Sequence, residues 1–193
     1  MSAQNVMVYA HTLEEIRESL AIVVGYPVTD FIDREHGTEY YYDPDIKQQL
    51  PENRWTLGPF RITRVLYQKP DFELSAGQTI SLVEPVGLFE DRQGELLKKV
   101  TGDCYEMKQN SEYVVFIGKS QDGTCFGADN YNLGRFNTDG TDLEDELGVV
   151  GGYNTDGTPT DKQKLRDEIT GRYGIRFAPI GSSTSPQTRQ YGR

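Results

Sequence analysis

Two runs of the chain are apolar at consecutive rather than alternate positions. One is Ala21-Ile22-Val23-Val24-Gly25-Tyr26-Pro27-Val28 and the other is Tyr113-Val114-Val115-Phe116-Ile117-Gly118. β-Branched and aromatic residues on both faces predict strands that are covered on both sides. Gly25 within the first run predicts a bend or bulge, where one strand curls enough to serve two sheets. Pro27 lacks an N–H, so pairing there is expected to be broken or at an edge.

Weaker patterns fill the space between. Trp55, Leu57, Phe60, Ile62, Val65, Leu66 and Tyr67 trace a strand through 55–70, with a bulge expected at Pro59. Ser75-Ala76-Gly77-Gln78 reads as a turn, and Thr79-Ile80-Ser81-Leu82-Val83-Glu84 alternates cleanly as a strand. Gly87-Leu88-Phe89 reads as the start of a connection, and Gln109-Asn110-Ser111 as a polar turn. Tyr40-Tyr41-Tyr42 has strand character, Asp43-Pro44-Asp45 a turn or helix entry, and Pro51-Glu52-Asn53 a loop. The stretch 33–54 is therefore expected to be an insertion decorating the fold.

Two short helices flank the strands. Thr12 and Glu15 have capping-box spacing, and Leu13, Ile16 and Leu20 share one helical face, predicting a helix over 13–19. Thr160 and Gln163 repeat that spacing, Leu165 and Ile169 stand four apart, and Gly171 is the expected stop of a helix over 161–170. The sum is a mostly β chain: an OB-like five-stranded closed or partly open barrel with short flanking α-helices, because closure removes sheet edges. It is expected to occupy 1–180 as one domain. The stretch 181–193, rich in Ser, Thr, Gly and Gln, is expected to be a flexible tail.

Charge narrows the partners. With 20 basic and 30 acidic residues the net charge is −10, a poor endowment for holding phosphate backbones. No window approaches the roughly 20 apolar residues that span a bilayer. The start, Met1-Ser2-Ala3-Gln4-Asn5, lacks the basic region of a secretory signal. The two cysteines, Cys104 and Cys125, are too few for a tetrahedral zinc site. They are the candidate pair for one disulfide, worth ~3 kcal/mol by chain entropy; two buried thiols are the other reading.

Candidate chemistry is sparse. His36 sits among Asp33, Arg34, Glu35 and Glu39, a setting for a metal or a tuned base, although a solvated loop explains it as well. His11 abuts the first helix cap. Phe136-Asn137-Thr138-Asp139-Gly140-Thr141 echoes Tyr153-Asn154-Thr155-Asp156-Gly157-Thr158, and both resemble a calcium loop. Both fail its pattern: Arg135 and Gly152 stand where the first ligand belongs, which leaves turn chemistry. The acidic run Asp142-Leu143-Glu144-Asp145-Glu146 reads as a solvated face. Tyr41 and Trp55 are the candidate residues of an aromatic ligand platform, with core packing as the alternative. There is no Gly-x-Ser-x-Gly elbow, His-Glu-x-x-His, P-loop or dinucleotide fingerprint, and no catalytic, cofactor or metal residue is assigned.

The order of these segments resembles a group of bacterial secreted and cell-envelope proteins whose OB-like barrel is similar to the netrin module and the tissue inhibitors of metalloproteinases. Leu13-Glu14-Glu15-Ile16 leading into Ser19-Leu20-Ala21-Ile22-Val23-Val24-Gly25 carries the likeness. So do Phe60-Arg61-Ile62-Thr63-Arg64-Val65-Leu66 and Gly77-Gln78-Thr79-Ile80-Ser81-Leu82. Asn110-Ser111-Glu112-Tyr113-Val114-Val115-Phe116 and Gly134-Arg135-Phe136 complete it. Ser111 replaces the usual glycine and Lys69-Pro70 replaces Lys-Gly. Those inhibitors chelate zinc through an N-terminal cysteine; no cysteine precedes Cys104 here, so that chemistry does not transfer. The resemblance implies an extracytoplasmic address, with a cytoplasmic one as the alternative. It implies a non-enzymatic module that binds a protein or cell-envelope component. A carboxylate-dependent enzyme, with or without a divalent ion at the acidic loops, is the second reading. Nucleic-acid binding, which would need Arg61 and Arg64 to prevail over the net charge, is the third.

Overall fold

A computed structural model describes residues 11–91, 93–101, 104–119, 125–129, 131–144 and 156–179. Nine strands and one α-helix are the main described elements: β1 (Ala21–Pro27), β2 (Glu35–Asp43), β3 (Gln48–Gln68), β4 (Thr79–Glu84), β5 (Val86–Glu90), β6 (Leu96–Val100), β7 (Tyr113–Lys119), β8 (Phe126–Ala128), β9 (Arg135–Asn137) and α1 (Asp161–Tyr173). Five strands close on one another in the order β1-β3-β4-β8-β7, with β7 returning to β1. Every pair in this ring is antiparallel except β4 with β8. The mostly β barrel expected from the two apolar runs is present, and it is closed.

Those runs are continuous because each serves two cores. Ala21 and Val23 of β1 and Tyr113, Val115 and Ile117 of β7 point into the barrel, against Phe60, Ile62, Ile80 and Leu82. The intervening Ile22, Val24, Val114 and Phe116 point outward onto Leu13, Ile16, Phe136, Leu165, Ile169 and Ile175. Period-2 side-chain alternation thus sends successive apolar residues to opposite covered faces. The bulges fall on the partner strand: the register with β3 shifts between Ile22 and Val23 and again between Val24 and Gly25, and the extra residues are Leu66 and Thr63 of β3. A Cβ at Gly25 would lie 2.2 Å from the Arg61 carbonyl oxygen, so a side chain there has no room.

The helical segments keep their caps and change their extents. The segment after Thr12 makes a 3-10 turn, Glu15–Glu18, instead of the expected α-helix. The Thr12 hydroxyl accepts from Glu15 N–H, and the Glu15 carboxylate accepts from His11 N–H. Leu20 N–H already donates to the Ile117 carbonyl, so entry into β1 ends the turn early. In α1 the Thr160 hydroxyl accepts from Gln163 N–H, as the capping spacing predicts. Gly171 does not stop this helix. Gly174 does, with φ 67° and its N–H on the Thr170 carbonyl, the left-handed end that glycine adopts at least cost.

Two more expectations need correction. Pro51-Glu52-Asn53 is strand, not loop. Asn53 pairs with Glu39 and Pro51 with Tyr40, so Glu52 is an extra residue and Pro51 sits at a bulge, where a missing N–H is tolerated. Gly87-Leu88-Phe89 belongs to β5, which pairs with β6 as a separate two-stranded sheet. Its turn is built on Asp91, whose carboxylate accepts from Gln93 and Glu95 N–H groups. The tail expected at 181–193 lies outside the described residues, as does the first half of the second Asn-Thr-Asp-Gly segment.

Candidate functional site

β3 is long enough to belong to two structures. Its second half pairs with β1 and β4, whereas residues 48–55 pair only with β2. The β2–β3 hairpin therefore extends beyond the strands that close the barrel. At its tip the Asp43 carboxylate accepts from the N–H groups of Asp45 and Ile46, and Lys47 takes φ 53°. This Asx turn reverses the chain where Asp43-Pro44-Asp45 predicts one. Tyr40, Tyr41, Tyr42 and Ile46 are 59, 43, 60 and 53% exposed. Four large side chains are thus left in water near one hairpin tip, with Tyr40 and Tyr42 on one face of β2 and Tyr41 on the other.

The structure does not set Tyr41 and Trp55, the residues of the expected aromatic platform, side by side. Tyr41 lies opposite Leu50 and Trp55 opposite Gly37. Four residues of β2, about 13 Å at the usual rise, separate the two positions. Trp55 is structural: its indole occupies the space above Gly37, where a Cβ would come within 2.1 Å of the ring. The tyrosine triplet, with Tyr41 in its middle, holds the open end alone.

The sequence reading missed the other concentration of polar groups. Arg34, Glu84 and Arg135 are all buried at one end of the barrel, beside the ends of β1 and β4 and the start of β7. The Glu84 carboxylate accepts from Arg34, from Arg135 at 3.2 Å and from Met107 N–H at 2.7 Å. Arg34 also donates to the carbonyls of Thr29 and Met107. Next to this triad, Glu106 is held by Lys98 and Lys108, and Lys108 reaches Glu144. Buried Tyr113 donates to Asp142 at 2.6 Å and accepts from Lys108 N–H. Only Glu84 ends a cleanly alternating strand; its neighbours come from the segment before β2, from β6, from the stretch 104–112, from the start of β9 and from the residues after it, so spacing along the chain carries no trace of the cluster.

The electrostatics are those of a plug. Burial pushes the Glu106 carboxyl up, but the Lys108 ammonium and the hydrogen bonds from Lys108 and Lys98 more than reverse it, so its pKa falls below the usual range. Burial pulls Lys108 down, and the charge of Glu106 with hydrogen bonds to Glu106 and Glu144 raises it beyond that. These carboxylates have protein donors on them. The acidic loop behaves alike: Asp139 accepts from Glu112 N–H, Asn137 and Thr141, and Asp142 from Glu144 N–H. Among the described residues no three His, Cys, Asp or Glu side chains converge as a metal site would require; Asp145 and Glu146 lie outside them.

The histidines are separate. His11 Nδ1 is 2.7 Å from the Asp161 carboxylate at the start of α1. His36 packs edge-on against Phe31, with Nδ1 2.9 Å from the Thr56 hydroxyl. Burial first, and the Arg34 charge second, lower its pKa. Cys104 is buried and Cys125 half-buried, and the structure forms no disulfide between them. No helix among the described residues is long and apolar enough to cross a membrane. Comparison with models of known families, with curated proteins and with solved structures finds no match to this chain, so its reading rests on the geometry above.

Proposed function

We propose that the chain is a non-enzymatic, extracytoplasmic binding module in which an OB-like barrel carries the β2–β3 hairpin as its recognition element. The partner is a protein or another component of the cell envelope. The strand order, with one parallel pair closing five strands, supports the OB-like assignment. The observation that carries the binding role is the exposure of Tyr40, Tyr41, Tyr42 and Ile46 on a hairpin that the barrel does not need. Tyrosine offers a large amphipathic contact area with few torsions to freeze, which suits an interface.

The test is retention on a cell-envelope fraction by the wild-type chain and by a Tyr40→Ser, Tyr42→Ser variant. Retention should fall about tenfold, corresponding to roughly 1.4 kcal/mol of contact energy. Equal retention by a variant with an unchanged circular dichroism spectrum would remove the hairpin from the function.

A further inference from the structure

The outer edge of β2 stands apart from every other long edge. Among the described residues β2 pairs with β3 alone, so half of its backbone N–H and C=O groups face away from the sheet. Open edges are ordinarily blunted by charged side chains, lysine above all, by proline, by bulges or by a covering element. Residues 35–43 contain no lysine and no proline. The bulge of this hairpin is carried by β3, at Glu52, which leaves β2 regular. The β5–β6 sheet meets the hairpin from its base up to the bulge without pairing with the edge of β2 among the described residues: Leu88 N–H approaches His36 Nδ1, and Lys99 donates to the Glu52 carbonyl of β3.

Charge selects what fits this edge. Glu35, Glu39, Asp43 and Asp45 are the charged residues of 35–46, all acidic. Lys47 at the turn offsets one of these four acids, and the other nearby cations are engaged elsewhere. Arg34 is buried on Glu84, and Arg54 lies 4.4 Å over the Phe89 ring. A second copy is a poor occupant. In an antiparallel pairing centred on Tyr41 it sets Glu39 against Asp43, and in parallel register it sets each acid beside itself; like charges across a strand pair repel. A basic strand instead gains ion pairs and places cations against exposed tyrosine rings.

We propose that the open edge of β2 at residues 39–43 receives a basic, extended segment of a partner protein by strand addition. Main-chain hydrogen bonds hold the segment, and Tyr40, Tyr42 and Glu39 select its side chains. This rests on the hairpin being the binding element, and it names the partner's chemistry.

The probe is an end-capped heptapeptide, Arg-Arg-Thr-Thr-Arg-Arg-Thr, which carries arginine on both faces of an extended strand, titrated against the full chain by fluorescence anisotropy. The expected result is saturable binding that weakens about tenfold when every second peptide nitrogen is methylated. Glu39→Lys and Tyr40→Ser should each weaken it by about three- to tenfold. Equal affinity of the methylated peptide would show diffuse charge attraction and overturn strand addition. Equal affinity of a glutamate-for-arginine peptide would overturn the basic partner. So would a concentration-dependent dimer, seen by sedimentation and lost in Tyr40→Ser, since the edge would then take a second copy. If the tyrosine variant loses retention on the envelope fraction while the basic peptide fails to bind, the partner chemistry is wrong and the binding role stands. If it loses neither, both are wrong.

Discussion

The two ends of β3 show opposite uses of polar and apolar side chains. Near Phe60 the strand enters a barrel whose end is stoppered by buried charge: Arg34, Glu84, Arg135 and Glu106 sit inside with their partners around them. Near Leu50 the same strand runs out into a hairpin whose tyrosines face water. Charge inside is tolerated because each carboxylate there receives several donors at once. Aromatics outside are tolerated because the hairpin is anchored at its base by Gly37 against Trp55 and by Gly87 against the Arg54 Cβ and the Trp55 backbone. The contrast separates what keeps the molecule folded from what is left over for a partner.

That separation is strongest at Glu84. Glu84→Gln leaves two buried guanidiniums facing a neutral amide and should cost about 3–5 kcal/mol, read as a fall in urea midpoint. A loss under about 1 kcal/mol would mean the triad is not a stopper. The pH dependence should follow the same division. Glu106 is depressed when folded, so its contribution is present above the ordinary carboxyl value of 4.5 and is lost as pH falls below it. His36, also depressed, withdraws stability as pH falls below 6.5. Thermal melts should therefore show a shallow decline from pH 6.5 and a steeper one below 4.5. Glu106→Gln should flatten the second phase and leave the first unchanged.

Capping is a smaller matter. Thr160→Ala removes the acceptor of Gln163 N–H and should cost about 1 kcal/mol, measured as a shift in melting temperature. Smallest of all is the hairpin. Tyr42→Ser should change stability by no more than about 0.5 kcal/mol, because the ring it removes is 60% exposed. A large loss there would show that the tyrosines belong to the core, and the contrast would collapse.

Legibility followed the range of the interactions. Local devices were readable: the Thr160 cap, the Asp43 turn and the Thr79–Glu84 alternation depend on neighbours within a few positions. The stop at Gly174 instead of Gly171 was not, since both glycines suit a helix end and packing of Ile175 into the outer core decides between them. The stopper was wholly hidden. Arg34 and Glu84 are 50 positions apart, and Glu84 and Arg135 are 51, so no spacing announces them. Tyr41 and Trp55 looked like partners by composition, and the register of a hairpin set them apart.

The sequence by itself determined that the chain is mostly β, that β1 and β7 are covered on both faces, and where several turns and caps fall. These are consequences of period-2 alternation and backbone chemistry acting over short distances. The tertiary structure alone decided which strands close the ring, which charges are drawn inside it and which aromatics remain in water. Closure fixes burial, and burial decides whether a carboxylate becomes a structural tie or a solvated surface group and whether a tyrosine becomes core or contact.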